Sequence, residues 1–284
     1  MGKKKVIVTG ADGFIGKSLC LFLQENYEVI PITHKEHGDI KQIGNHFSLF
    51  DNVSYVFHMA STVHNYNILN EGPSCFIDTQ TNVLGTQAVL ECLRWAAPEA
   101  KMVYVSTFFV NNGNPKGLYG ATKLCAEQFC KVYSEVFNID YSIARLSNVF
   151  GVGEQTNNNK KAAMNRMVFD LCRDKEIGVY VPSPYRDYID VLDVAEALQT
   201  IAVKGVGGVY DVCTEKSYKV LDILEMAQQK INKGQIKKIK TPLFHQQVGI
   251  ENWFCSNRPL RAIGWVPKNT LEESLDRMIE AYIG

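Results

Sequence analysis

Lys5-Val6-Ile7-Val8-Thr9-Gly10-Ala11-Asp12-Gly13-Phe14-Ile15-Gly16 is the stretch that decides the fold. Its β-branched opening reads as a fully buried strand over residues 5–9. A glycine turn follows, and then a helical pattern over Phe14–Asn26 with Leu19, Phe22 and Leu23 on one face. Strand, glycine turn and helix in this order form a pyrophosphate cradle. Glycines allow a tight turn and close backbone approach, and the helix N-terminus offers free N–H groups and the positive end of its dipole. The glycines at 10, 13 and 16 are spaced one residue wider than the standard dinucleotide fingerprint. Gly10, Asp12, Gly13, Phe14, Ile15 and Gly16 are the first candidate cofactor contacts, and Gly16 also lets helix and strand pack closely. The competing reading is a tight turn that holds no ligand.

Outward from this unit the pattern repeats. Glu28–Ile32, Ser54–Met59, Met102–Ser106 and Tyr141–Arg145 read as strands, and Thr81–Ala96 and Tyr119–Phe137 as long helices. Apolar strands alternating with helices imply a parallel sheet covered on both faces. The expected fold is α/β, a Rossmann-type doubly wound parallel sheet with a small C-terminal substrate-binding lobe. Beyond Val149 the alternation loosens. Residues 151–161 are polar and Asn-rich, and helices are expected over Ala162–Asp174, Val220–Ile231 and Leu271–Tyr282. With no Gly/Ser linker, the division is an NAD(P)-binding domain over 1–150 and a lobe over 151–284 that interleaves with it rather than folding separately.

The chain has 284 residues, 46% hydrophobic and 21% charged, enough apolar material for a substantial core. Thirty basic residues balance thirty acidic ones, so no broad positive field exists to hold a nucleic-acid backbone. No segment reaches the ~18 apolar residues of a membrane helix. The basic start has too short an apolar run for a signal peptide, and Val6 stands where myristoylation needs Ser or Thr. The eight cysteines form no C-x-x-C pair and read as buried, reduced thiols of a cytoplasmic protein, not as a disulfide framework.

Two further features carry chemistry. NAD-binding sheets usually end their second strand with an acid that accepts from the adenosine ribose 2′-hydroxyl. Here the strand ends Ile32-Thr33-His34-Lys35, with no acid before Glu36. A hydroxyl and two groups that can be cationic suit a 2′-phosphate, so NADP(H) is favoured and NAD(H) is the alternative. The plain alternative is that His34 and Lys35 face solvent. Second, Tyr119-Gly120-Ala121-Thr122-Lys123 places Tyr and Lys four apart, on one face of a helix. A nearby ammonium is expected to lower the phenol pKa from ~10, making the tyrosine a proton donor and acceptor for an alcohol or sugar oxygen.

With these motifs in order, the chain resembles the extended short-chain dehydrogenase/reductase family of nucleotide-sugar epimerases, dehydratases and reductases. The matching pieces are TGADGFIG (9–16), GDI (38–40), FHMAS (57–61), NVLGT (82–86), VST (105–107), YGATK (119–123), ARLSNVFG (144–151), RDYIDVLDVAEAL (186–198), IGWVP (263–267) and LEESL (271–275). The resemblance implies that Asp39, with Ile40, meets the adenine, and that His58, Met59, Ala60 and Ser61 pass beneath the cofactor with backbone contacts. Asn82 would open a helix that buttresses the cofactor. Thr107 would bond the reacting oxygen, with Ser106 the neighbouring candidate, while Tyr119 acts as acid/base and Lys123 also binds the nicotinamide ribose. Asn148 and Arg186 would contact the nucleotide diphosphate. Alternatives stay open: Asp39 as a turn aspartate, Asn82 as a helix cap, Arg186 in an ion pair with Asp187. Arg145 reads as structural, and Trp253 and Trp265 as core.

The implied activity is oxidoreduction at C4 of a nucleotide-diphosphate sugar, with a 4-ketoreductase favoured. The alternatives are a 4-epimerase with tightly held NAD and a non-catalytic cofactor sensor, against which the retained Thr107, Tyr119 and Lys123 speak. Phe108 and Phe109 stand where the family's 4,6-dehydratases carry Asp-Glu, which argues against water elimination. Leu243–Val248 lacks the arginine many members carry there, leaving the second diphosphate-binding base unassigned. The family implies a homodimer through a four-helix bundle, and Leu124, Phe129, Val132, Tyr133 and Val136 on the second long helix fit such a face.

Overall fold

The computed structural model describes residues 2–63, 74–115, 117–154, 163–243, 246 and 252–283. Its first half contains β1 (Lys4–Thr9), α1 (Phe14–Leu23), β2 (Tyr27–Ile32), α2 (His34–His37), β3 (Val53–His58), α3 (Ser74–Thr79), α4 (Gly85–Ala96), β4 (Lys101–Thr107), α5 (Gly117–Phe137) and β5 (Tyr141–Leu146). The second half adds β6 (Asn148–Phe150), α6 (Ala163–Cys172), β7 (Glu176–Val181), β8 (Tyr185–Asp190), α7 (Val191–Lys204), β9 (Val209–Val212), β10 (Ser217–Lys219), α8 (Val220–Ile231), β11 (Gln235–Lys240), α9 (Arg258–Ala262) and α10 (Leu271–Ile283).

The main sheet is parallel with strand order β2-β1-β3-β4-β5-β9. Side chains alternate across a strand, and β1 uses both faces. Val6 and Val8 pack with Leu19 and Leu23 of α1 and Leu198 and Ile201 of α7. Ile7 faces the other layer, with Leu90 and Leu93 of α4 and Ala126 and Cys130 of α5. All three are fully buried, which is why the strand reads as an unbroken apolar run. This is the Rossmann-type doubly wound arrangement. The strand order turns at β1, with β2 on one side and β3 on the other. Such sheets bind ligands at the carboxyl ends of the strands beside this point.

The second half does not stay apart. α7 packs on α1 and β9 joins the main sheet beside β5. The remaining strands form a three-stranded sheet, β10-β8-β6, and a two-stranded parallel pair, β11-β7. Phe150, Met164, Val168, Leu224, Leu275 and Met278 are among the residues of this lobe's own core. Among the described residues no helix is long and apolar enough to cross a membrane.

Two helices depart from expectation. α1 stops at Leu23, its last buried residue, and the exposed Gln24 and Glu25 turn the chain toward β2. The single helix expected over Thr81–Ala96 is instead α3, a π-helical turn over Gln80–Leu84, and α4. Propensity carries no signal for a π turn, which concentrates at functional sites.

At Gly16 an added Cβ would overlap the Gly10 carbonyl oxygen and lie 2.9 Å from Ala11 Cα, because α1 is seated against the turn that precedes it. Gly16→Ala is therefore expected to lower unfolding free energy by about 1–3 kcal/mol in urea denaturation. At exposed Gly44 an added Cβ would meet nothing within 4 Å, and Gly44→Ala should stay within about 0.5 kcal/mol of wild type.

Candidate active site

Gly10 has φ +68°, and a Cβ there would stand 3.0 Å from the Ala60 backbone, so strand-end and neighbouring turn touch through a position only glycine fills without strain. Gly13 precedes α1 in extended conformation and supplies no side-chain cap. Asp12 is exposed, and Phe14 and Ile15 are half-buried on the first turn. The α1 amino end is thus lined by main chain rather than side chains, a donor set that fits a pyrophosphate.

A hydrogen-bond relay fixes the crevice wall. Thr9 Oγ1 accepts from Met59 N and Ala60 N, both at 3.1 Å. Its own hydrogen is then left for His58 Nδ1 at 2.7 Å. This assigns the His58 proton to Nε2, which donates to Thr86 Oγ1 at 3.0 Å, while Thr86 donates to Asn82 O at 2.7 Å. Complete burial, with the charge of Lys123 adding to it, pulls the imidazole down to about 3.

Asn82 sits inside the π turn and is buried. Its Oδ1 accepts from Thr62 N at 2.9 Å, and its Nδ2 donates to Thr62 O and Thr122 Oγ1, both at 3.0 Å. It is a staple between the turn after β3 and α5, not the helix opener or cap that the sequence suggested. The π turn is what presents its amide to both.

At the end of β2, Thr33 Oγ1 accepts from Glu36 N at 3.2 Å and caps α2. His34 and Lys35 project into solvent from its first turn. Asp39 Oδ1 accepts from Lys41 N at 3.1 Å and caps the 3₁₀ segment that begins with buried Ile40, which is the turn-aspartate role.

β4 ends at Ser106 and Thr107, the candidate residues for the reacting oxygen. Thr107 Oγ1 accepts from Phe109 N at 3.3 Å. Phe109 in turn meets the Tyr119 ring edge-on at 6.2 Å. Ser106, on the opposite side of the strand, donates to Glu127 Oε1 at 2.6 Å and so is committed to α5 rather than offered to a substrate. Phe108 is buried, stacked on Phe109 at 4.4 Å and 4.8 Å from the ring of buried Trp253. Trp265 is core.

Tyr119 lies on the first turn of α5. Burial pushes its phenol up to about 12, with the Ser61 hydroxyl bonding it and pulling it down. Lys123 does not perform the expected lowering. One helical turn deeper, it donates to Val105 O at 2.7 Å and sits 4.7 Å over the Tyr104 ring. Burial brings its ammonium down to about 7, against the pull of Glu127. Glu127 itself escaped the sequence reading. It accepts from Arg145 Nε at 2.9 Å and Nη2 at 2.6 Å, confirming a structural Arg145. Its four-residue step beyond Lys123, on the same helix face, was the available signal.

In the lobe, Asn148 Nδ2 donates to Asp187 O at 2.9 Å, and Arg186 Nη1 to Tyr185 O at 2.8 Å. Register pairs β6 with β8, which brings Asn148 and Arg186 onto adjoining strands. Buried Asp187 accepts from Ser147 Oγ at 3.1 Å and from Thr214 N and Oγ1, both at 3.0 Å. Of the Leu243–Val248 stretch, Phe244, His245, Gln247 and Val248 lie outside the described residues.

Residues 6–213 match the NAD dependent epimerase/dehydratase family. The chain belongs to that family. Its relatives are NAD(P)-dependent nucleotide-sugar epimerases, dehydratases and reductases, which are enzymes. It is 24% identical to a trifunctional UDP-glucose 4,6-dehydratase/UDP-4-keto-6-deoxy-D-glucose 3,5-epimerase/UDP-4-keto-L-rhamnose-reductase of Arabidopsis thaliana, over 98% of this chain and 47% of that protein. The chain thus spans about half the length of this curated relative. It is 32% identical to UDP-2-acetamido-2,6-beta-L-arabino-hexul-4-ose reductase of Pseudomonas aeruginosa, over 56% of this chain and 39% of that one. Among solved structures, UDP-glucose 4-epimerase of Thermotoga maritima with UDP-glucose superposes with a TM-score of 0.86 at 21% identity, covering 98% of each chain.

The relay predicts a titration. With a folded pKa about 3 against about 6.5 unfolded, the unfolded chain binds the extra proton, so His58's contribution to stability is complete above about pH 6.5 and lost as pH falls toward 3. The His58 ring resonances in NMR should stay flat from pH 8 to pH 5. A midpoint near 6 would contradict the relay.

Proposed function

We propose that this enzyme reduces the 4-keto group of a nucleotide-diphosphate sugar. The observation that carries the reading is that Thr107, at the end of β4, and Tyr119, on the first turn of α5, meet through Phe109. The Phe109 N–H donates to Thr107 Oγ1 at 3.3 Å, and the Phe109 ring lies 6.2 Å from the Tyr119 ring. A phenol, protonated at neutral pH even at its ordinary pKa of ~10 and raised further here by burial, can act as an acid there. Family membership, and a reductase among the relatives, support it.

Gly10, Gly13 and the first turn of α1 would hold the pyrophosphate of a nicotinamide cofactor, and Met59–Ser61 would run beneath it. When bound, that cofactor supplies the hydride. Thr107 donates a hydrogen bond to the C4 oxygen and orients the carbonyl. Tyr119 gives its proton to the same oxygen as negative charge develops there, and Ser61 is placed to share a proton with Tyr119. Lys123 adds positive charge beneath the site and, from its depth, binds a ribose hydroxyl of the cofactor. Asn148 and Arg186 hold the sugar nucleotide's diphosphate. The Phe108–Phe109 stack leaves no acid after Thr107, so water elimination has no proton donor there. The 4-epimerase reading draws on the Thermotoga maritima fold and uses the same residues. It requires a cofactor that stays bound through purification.

Tyr119→Phe keeps the ring and removes the proton. Turnover on a 4-keto nucleotide sugar should fall about 10²–10⁴-fold with cofactor affinity little changed, as measured by cofactor absorbance and binding titration. Near-normal turnover would remove Tyr119 from the reaction.

The cofactor is proposed to be NADP(H), because exposed Lys35 and His34 stand at the end of β2 and Thr33 is spent on capping. Lys35→Ala should weaken NADPH binding about tenfold and leave NADH binding unchanged. Equal wild-type affinities for the two would refute this choice.

The enzyme is further proposed to be a homodimer through α4 and α5. Trp95, Leu118, Val132 and Val136 are exposed on these helices. Tyr133, expected on that face, is instead buried and donates to Glu91 Oε1 at 2.6 Å. Light scattering at micromolar concentration should give the mass of two chains, and Val136→Glu should shift it toward one.

A further inference from the structure

The structure carries a pair of thiols that the reaction does not use. Cys213 follows the last residue of β9, at the carboxyl edge of the main sheet. Cys255 lies in the strap over residues 252–257, which crosses the lobe before α9. Their sulfurs and a carboxylate oxygen of Asp187 all lie within 4.8 Å of one another. Cys213 is fully buried, whereas Cys255 is half-buried and is the one a small reagent reaches.

The strap is held by hydrogen bonds and by the packing of Trp253, with no covalent link. Trp253 N donates to Tyr185 O at 3.1 Å, and Trp253 O accepts from Ser217 Oγ at 2.8 Å. Asn257 N donates to Glu215 Oε1 at 3.0 Å, and Asn257 Nδ2 to Cys213 O at 2.9 Å. The last bond places Cys213 directly under the strap. Trp253, two residues before Cys255, packs on Phe108, which adjoins Thr107.

We propose that Cys213 and Cys255 are a redox modification site, converted to a disulfide by hydrogen peroxide and thereby fastening the strap, with Trp253, to the edge of the main sheet beside Thr107. The step balances. The Cys255 sulfur loses its proton and attacks a peroxide oxygen. The O–O bond breaks, one water leaves, and Cys255 becomes a sulfenic acid. The Cys213 sulfur then loses its proton to the Asp187 carboxylate and attacks the Cys255 sulfur. The S–S bond forms, the S–O bond breaks, and a second water departs with that proton. Two thiols are oxidised and one peroxide is reduced to two waters.

The hydrogen bond with Cys213, then burial and the Asp187 charge, push the Cys255 thiol up, so thiolate is scarce and the first step is slow, while the proximity of Cys213 speeds the second. Burial likewise raises the Asp187 carboxyl, which suits it to accept a proton. A zinc ion fits less well. The pair offers two sulfurs, the Asp187 oxygens already accept from Ser147 and Thr214, and tetrahedral zinc asks for four ligands.

The test treats the full chain with hydrogen peroxide, in wild type and in Cys125→Ser, which removes an exposed thiol that could join two molecules. Denatured, unreduced protein should lose the mass of two hydrogens. A peptide map should show one linkage between Cys213 and Cys255, reversed by dithiothreitol and absent in Cys255→Ser. Hydrogen exchange at the Trp253 amide should slow about tenfold or more in the oxidised form. Three results would overturn the proposal: a sulfinic acid at Cys255 with Cys213 still alkylated by iodoacetamide after denaturation, a linkage between other cysteines, or purified protein carrying stoichiometric zinc whose removal is needed before either thiol reacts. The wild-type map needs no variant to fold.

Discussion

The constraint on which the crevice depends is the neutral imidazole of His58. It links the end of β1 to the start of α4 through Thr9 and Thr86, and through Thr9 it clamps the main chain at Met59 and Ala60. Each bond is worth only about 1 kcal/mol net, but leaving one such buried group unpaired costs about 1–3 kcal/mol. The directions around the relay are all assigned, so a proton on Nδ1 would set two donors against each other. The glycine turn, the 58–61 turn and the π turn at Asn82 therefore hold one geometry together, and that geometry is the floor of the proposed cofactor site.

The wall opposite is one face of α5, where Tyr119, Lys123 and Glu127 descend at four-residue intervals. Charge is graded along it. Glu127 at the bottom neutralises Arg145 and favours the ammonium of Lys123, which burial opposes. At the top, Tyr119 is near enough to Ser61 to share a proton yet buried enough to keep its own. This gradient suits an acid that gives its proton only when negative charge appears on a neighbouring oxygen.

The fold was legible because β1 and the glycine turn obey strong local rules: an apolar run buried on both faces, a positive φ at Gly10, no room for a Cβ at Gly16. The four-residue spacing of Tyr119 and Lys123 was legible for the same reason. Directions of side chains were not. Ser106 and Thr107 are adjacent and chemically alike, and only the strand's alternation sends one to Glu127 and leaves the other beside Phe109 and the proposed site. Lys123 was expected to act on Tyr119, but its long side chain finds Val105 O instead. The Asn82 staple depends on a π turn, which no residue type announces, and the Thr9–His58–Thr86 relay joins three segments far apart in the chain.

The central claim is that reduction occurs at C4 of a nucleotide sugar. The direct measurement uses NADPH deuterated at the transferable position, a 4-keto nucleotide sugar as substrate, and proton NMR of the product. One deuterium at C4, in a single configuration, is the predicted result. Product with hydrogen at C4, or deuterium at another carbon, would contradict the account.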